Sequence, residues 1–281
     1  MRAAFVTLEG LQTRYLMAGS GPLLVLVHPI GYPADVFRRN IDALAGRFTV
    51  VAPDLPGQGY SQGPAGWTQP PQVSAARHVL ALATHLGFDV LSIAGSSLGG
   101  LVAAMAALQA PSRVQDLVLI GTGSVFNDPA GQPAVLETVY ANGSRVYRDP
   151  DTETLRARIA NTCFRPPEAD DILAAHLTAY ALPGAADHYQ AMMEALSASM
   201  ADPDATAYPH LERIRARTLI IIGRDDSRTS YASHHAGASR MADARLLVFD
   251  ECGHLPFLEH PAAFNDAVLR FLAGDDVGDR P

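Results

Sequence analysis

The sequence predicts an α/β protein: a mostly parallel sheet with helices on both faces, interrupted once by a helical insertion. Three observations carry this. Short continuous apolar runs, such as Leu23-Leu24-Val25-Leu26-Val27 and Leu219-Ile220-Ile221-Ile222, have the composition of strands buried on both faces. Helix-type segments alternate with these runs, the pattern that gives parallel strands joined by crossovers. From about Asn127 to His210 the alternation stops, and helical segments and chain breakers follow without a strand-type run. Open α/β sheets bind ligands beyond the carboxyl ends of their strands. An insertion after the sixth strand therefore reads as a lid over that rim. The expected division is a core of residues 1–126 and 211–273, a helical lid of 127–210 and a flexible tail of 274–281.

Residues 3–8 and 13–17 alternate as strands about a turn at Glu9-Gly10. After the break at Gly19-Ser20-Gly21-Pro22, the Leu23-to-Val27 strand ends in His28-Pro29-Ile30-Gly31. A helix is expected over 34–44 and a strand over 48–52. The Gly- and Pro-rich stretch from Pro53 to Ser61 must be a loop. A helix over 73–86 leads to a strand that ends at Gly95, and a second helix, 101–108, begins almost at once and stops near Pro111. Residues 115–120 form the next buried strand. In the insertion, 152–160, 169–180 and 187–200 read as helices between Pro166-Pro167, Pro183-Gly184 and Asp202-Pro203. A strand at 217–222, a helix at 233–241, a strand at 245–249 and a helix at 261–272, with proline in its first turn, complete the pattern.

The chain has 281 residues, 48% of them hydrophobic, which is enough for a sizeable core. Its formal charge of −8 comes without a basic run to neutralise phosphates, which argues against nucleic acid and against an anionic membrane surface. No apolar stretch approaches the roughly 20 residues of a membrane span. The start, Met1-Arg2-Ala3-Ala4-Phe5, lacks a signal-type apolar region, so a cytoplasmic location is expected. Cys163 and Cys252 fit a reducing compartment and have no metal-ligand spacing. No metal or organic cofactor is implied. The expected partner is a small-molecule substrate, and a homo-oligomer is compatible with the sequence.

The chemistry centres on Gly95-Ser96-Ser97-Leu98-Gly99, a Gly-x-Ser-x-Gly sequence between a strand and a helix. A turn that tight lifts one side chain clear of the sheet and sets Ser97 at a helix N-terminus, where free N–H groups favour negative charge. A serine hydroxyl needs a base to take its proton, and the base needs a third group to fix its tautomer. The chain order nucleophile, acid, base is met by two later strand ends. Gly223-Arg224-Asp225-Asp226 follows one, and Asp250-Glu251-Cys252-Gly253-His254 follows the other. His254 is the expected base. Either Asp225 or Asp226 can be the acid, with Asp128 a remote third. Backbone N–H groups must meet the developing oxyanion. Leu98, after the nucleophile, and Ile30, in the loop after the Leu23-to-Val27 strand, can supply them; Pro29 has no N–H. His28 reads as a loop-shaping residue, and His234 and His235 as helix-surface residues.

These pieces together resemble the α/β-hydrolase superfamily over nearly the whole chain. His28-Pro29-Ile30-Gly31, Asp54-Leu55-Pro56-Gly57-Gln58-Gly59-Tyr60-Ser61, Gly95 to Gly100, Gly223 to Asp226 and Cys252-Gly253-His254 carry the resemblance. It implies an α/β-hydrolase fold and, from the fourth residue of the Gly-x-x-Asp piece, Asp226 as the acid. The last third is most similar to the meta-cleavage-product hydrolases, which hydrolyse a C–C bond in vinylogous diketone acids. Here the matching residues include Glu259-His260-Pro261-Ala262-Ala263-Phe264-Asn265. The resemblance also implies substrate-binding positions: Ser96 where that family has asparagine, Leu255 where it has tryptophan, and His176, with Arg165 nearby, where it has a lid arginine. The family's oxyanion loop is His-Gly where this chain has His28-Pro29.

The implied activity is that of a serine hydrolase acting on a small, largely apolar or aromatic carbonyl substrate: an ester, a lactone or a vinylogous diketone. A non-hydrolytic catalyst on the same fold, such as a lyase, cyclase or cofactor-free perhydrolase, stays open, as does a ligand-binding receptor. Serine at the nucleophile position disfavours haloalkane dehalogenase and epoxide hydrolase chemistry, which uses aspartate there.

Overall fold

The computed structural model describes residues 1–127, 132–168 and 170–281. Its centre is one eight-stranded sheet. The strands are β1 (Arg2–Leu8), β2 (Leu11–Ala18), β3 (Leu23–Val27), β4 (Thr49–Pro53), β5 (Leu91–Ser96), β6 (Val114–Ile120), β7 (Arg217–Gly223) and β8 (Ala244–Phe249). They lie in the order β1-β2-β4-β3-β5-β6-β7-β8. The hairpin β1–β2 and the β2–β4 pair are antiparallel, and every later pairing is parallel. Every residue of β3, β4 and β5 is buried, as central strands covered on both faces require. At the hairpin, Glu9 and Gly10 both have positive φ, 50° and 84°, which a two-residue turn between twisted strands demands.

The helices are α1 (Arg38–Leu44), α2 (Pro71–His85), α3 (Leu98–Gln109), α4 (Gly123–Phe126), α5 (Gln132–Arg148), α6 (Thr152–Ala160), α7 (Asp170–Tyr180), α8 (Ala185–Ser199), α9 (Tyr231–Ala238), α10 (Pro256–Glu259) and α11 (Pro261–Ala273). Helix α2 packs on α3, and α1 on α11. The 34–44 segment divides into a 3₁₀ turn, Ala34–Phe37, followed by α1. Among the described residues, no helix is long and apolar enough to cross a membrane.

Three features depart from the sequence expectations. Helix α5 was not anticipated. Its middle, Asn142-Gly143-Ser144, interrupts the apolar pattern, and Gly143 is there for close approach. A Cβ added to it would lie 2.0 Å from the Tyr189 hydroxyl of α8. The 274–281 tail is not loose: Leu246 and Asp279 exchange two backbone hydrogen bonds, 2.8 and 2.9 Å, and Val277 is buried. Strand β8 is a sheet edge with unpaired backbone groups, and the tail meets them. His234 is buried, with its ring 4.8 Å from that of Phe126, because α9 turns that face inward. Asp128 lies outside the described residues.

Candidate active site

Strand β5 runs into Ser97, and Ser97 opens α3 with φ 54° and ψ −117°, a conformation that costs a non-glycine residue on the order of 1–3 kcal/mol. The flanking glycines make the turn sterically feasible. A Cβ on Gly95 would lie 2.1 Å from the Gly99 carbonyl oxygen, and one on Gly99 would lie 2.2 Å from the Val27 carbonyl oxygen. The Ser97 N–H donates to the Ile120 carbonyl at 2.9 Å, which pins the turn to the end of β6.

The loops after β7 and β8 bring Asp226 and His254 together. His254 Nδ1 lies 2.7 Å from Asp226 Oδ2, and the Arg228 N–H donates to Asp226 Oδ1 at 2.8 Å. Burial raises the Asp226 carboxyl, but the facing imidazole and the Arg228 N–H more than offset this and hold it below the usual carboxylate value. Asp225, one residue earlier, is exposed. Gly121, at the end of β6, leaves room for the pair. A Cβ there would come within 3.2 Å of His254 Nδ1 and 3.3 Å of Asp226 Oδ2. His254 Nε2 is buried and has no hydrogen-bond partner among the described residues. His254, Ser97, Ile30 and Leu98 line one narrow cavity.

Leu98 opens α3, so its N–H has no intrahelical acceptor. The Ile30 loop is braced from three sides. Arg158 Nη2 donates to the Ile30 carbonyl at 2.9 Å, the Gly31 N–H donates to Gln58 Oε1 at 2.6 Å, and the Tyr180 hydroxyl donates to the Gly31 carbonyl at 2.8 Å. His28 bridges two loops. Its Nε2 accepts the Leu55 N–H at 2.9 Å, so Nδ1 carries the proton and donates to the Pro29 carbonyl at 2.8 Å. Burial lowers its pKa to about 4.

The four expected substrate-binding positions stand apart from the cavity lining. Ser96 is fully buried, and its hydroxyl has no partner among the described residues. Leu255 is buried in the core cluster. His176 is buried between the Tyr32 and Tyr180 rings, with centroids 5.6 and 6.2 Å away, and burial holds its pKa well below the usual value. Arg165 is the plain correction: its side chain is exposed and pairs with Glu251 at 3.0 Å, outside the cavity.

The remaining cavity wall is largely apolar. Val135, Leu136 and Val139 of α5 and Leu196 of α8 face Ser97 across it. Sequence reasoning missed two residues here. Arg228 places a guanidinium in the wall, two positions after the acid. Glu259 Oε1 accepts the Gly253 N–H at 3.0 Å and its Oε2 accepts the Phe164 N–H at 2.7 Å, joining the histidine loop to the insertion. Glu259 stood in the stretch that carries the family resemblance; Arg228 had no signal beyond its nearness to Asp226. Among the described residues, no cluster of three or more His, Cys, Asp or Glu side chains could hold a metal.

Comparison with known proteins identifies the family. Residues 22–261 match the family model described as the alpha/beta hydrolase fold. The chain is 32% identical over 273 residues to a 2-hydroxy-6-oxononadienedioate/2-hydroxy-6-oxononatrienedioate hydrolase of Burkholderia vietnamiensis, covering 93% of this chain and 91% of that protein. Among solved structures, it is similar to the 2-hydroxy-6-oxo-6-phenylhexa-2,4-dienoate hydrolase of a Rhodococcus species, with a TM-score of 0.78 and 26% identity, covering 97% of this chain and 100% of that one. It is also similar to a bacterial membrane phospholipase A, with a TM-score of 0.81 and 28% identity, covering 97% and 86%. Sheet order, elbow geometry and a family match across most of the sequence converge: the chain belongs to the alpha/beta hydrolase fold family.

Proposed function

We propose that the protein is a serine hydrolase in which Ser97, His254 and Asp226 act together. The observation that carries this is the unpartnered Nε2 of His254, backed by Asp226 at 2.7 Å and facing the same cavity as the strained Ser97. With Nδ1–H donated to the carboxylate, Nε2 is the basic nitrogen and takes the Ser97 proton. Ser97 Oγ then bonds to the substrate carbonyl carbon, and the Ile30 and Leu98 N–H groups receive the oxyanion. The imidazolium returns its proton to the leaving carbon or oxygen as that bond breaks. A water deprotonated by His254 attacks the acyl group and frees Ser97.

The substrate class supported best is a 2-hydroxy-6-oxo-dienoate acid cleaved at a C–C bond. Relatives bearing such names match over most of their length. An apolar cavity with one guanidinium, Arg228, also suits a conjugated carbon chain ending in a carboxylate. A simple ester is the second reading, favoured by Ser96, His176 and Leu255, which replace the family's polar and aromatic contacts and are all buried away from the cavity. The test is a panel of 2-hydroxy-6-oxo-dienoates, aryl esters and lactones, run with wild type and Ser97→Ala. A kcat/KM highest on the dienoates and abolished in Ser97→Ala is expected. A maximum on esters transfers the assignment to the second reading, and full activity in Ser97→Ala rejects the nucleophile.

A further inference from the structure

Two cavities meet at Leu136. The one that holds Ser97 and His254 has a volume of about 50 Å³. A benzene molecule in an apolar core takes a cavity of about 150 Å³, so an aromatic ring or a long chain fits beside Ser97 only if it extends outward. Beyond Leu136 lies a groove of about 260 Å³ between α5 and α8. Among the described lining residues, Leu136 alone belongs to both. The groove follows from helix spacing. Leu136 and Tyr140 stand four apart on α5, and Met193 and Ser197 four apart on α8, so each pair shares one face of its helix. The two helices pack together, and these faces line the gap. Leu136 is half-buried and Tyr140 is 37% exposed, so the apolar strip is open to solvent. Its rim is acidic. Glu137 and Glu194 are exposed there, and no arginine, lysine or histidine stands among the described lining residues. Gln190 Nε2 donates to Glu194 Oε1 at 2.9 Å and holds that carboxylate. Arg228 lines the inner cavity and not the groove, so the two spaces differ in charge.

We propose that the groove is a subsite for a neutral, apolar substrate tail. Leu136 is the sill over which the tail passes, and Glu137 and Glu194 turn away a tail that ends in an acid. This rests on the reading of Ser97 as the nucleophile and adds a rule of selection to it. A chain laid along Leu136, Tyr140 and Met193 removes apolar surface from water. A carboxylate in the same place would lose hydration and face two like charges. The rule holds for an ester and for a dienoate, since either can carry an uncharged apolar end.

The test uses the full chain as wild type, Ser97→Ala, Leu136→Trp, Ser197→Trp and the double variant Glu137→Gln/Glu194→Gln. Two kcat/KM ratios are measured, p-nitrophenyl octanoate to p-nitrophenyl acetate and octyl acetate to ethyl acetate. The series that responds tells on which side of the carbonyl the tail lies. In that series the ratio is expected to fall about tenfold in Leu136→Trp and in Ser197→Trp, the effect of keeping about two methylenes out of an apolar site. Ser197 is exposed and lies outside the inner cavity, so Ser197→Trp decides even if Leu136→Trp fails to fold. The kcat/KM ratio of mono-p-nitrophenyl suberate to p-nitrophenyl octanoate is expected to rise about threefold in the double variant, and added salt to raise it in wild type. Octanamide, an uncleaved analogue, is expected to raise the wild-type Tm saturably, with a half-saturating concentration about tenfold higher in Ser197→Trp. Ester turnover that Ser97→Ala abolishes, with both tail ratios unchanged in the Trp variants, overturns the subsite and leaves the hydrolase reading standing. No turnover in wild type, with the octanamide shift weakened in Ser197→Trp, removes the hydrolase reading and keeps the groove as a binding site. An unchanged suberate ratio overturns the role of the two carboxylates.

Discussion

His254 Nδ1 lies 2.7 Å from Asp226 Oδ2, while Asp225, its neighbour in sequence, is exposed and its backbone N–H donates to the Cys252 carbonyl. Two adjacent carboxylates thus have opposite surroundings. One is buried and tied to an imidazole; the other is hydrated. The difference follows from the turn after β7, which can direct one of two successive side chains inward.

Asp226→Asn is therefore expected to lower kcat by about 10³- to 10⁴-fold, because the amide favours the wrong imidazole tautomer. Asp225→Asn leaves kcat near wild type. Steady-state kinetics on an aryl ester distinguish them, and equal losses from both variants would remove Asp226 from the mechanism.

Stability is expected to fall with acid. Burial lowers the pKa values of His28 and His234 to about 4 from an ordinary 6.5. Between these values the unfolded chain binds protons that the folded one refuses. Folded stability is thus fully present above about pH 6.5 and is lost as pH falls toward 4, by about 1.4 kcal/mol per pH unit for each residue. Urea unfolding at pH 7 and at pH 4.5 measures it, and a flat profile would contradict the assignment.

Glu259 is expected to act through others, as a positioning residue. Its carboxylate accepts backbone N–H groups from Gly253 and Phe164, and charge-assisted bonds of that kind contribute about 1.5–3 kcal/mol each. Glu259→Gln should lower Tm and reduce kcat on the order of tenfold with KM little changed, as expected for a displaced imidazole. A lowered Tm with kcat intact would make the role purely structural.

Gly99→Ala tests the elbow's packing. The added methyl would lie 2.2 Å from the Val27 carbonyl oxygen and 2.7 Å from that of His28. A loss of about 3 kcal/mol in urea unfolding is expected, the upper end for overpacking. Gly66→Ala, where the methyl meets nothing within 4 Å, is the control.

The parts of the fold legible in the sequence were those set by local chemistry. Strand β3 is apolar throughout because both faces are covered. Ser97 and His254 stand at strand ends, beside glycines whose steric purpose a reader can infer. Long-range contacts were hidden. Arg158 reaches the Ile30 carbonyl from 128 residues away, and nothing in the composition of α6 announces that contact. Arg165 shows the converse, since an arginine in the insertion does not reveal which way its side chain points. Gly143 reads as a helix breaker until Tyr189 is seen against it. The charged tail reads as loose until the open edge of β8 is known.

The His254 N–H donates to the Thr162 carbonyl at 2.7 Å, and the Glu259 carboxylate spans the adjoining strands of chain. The stretch from Thr162 to Phe164 is therefore tied to the backbone that carries the imidazole. Chain far away in sequence thus shares with the loop after β8 the task of fixing where the His254 ring sits.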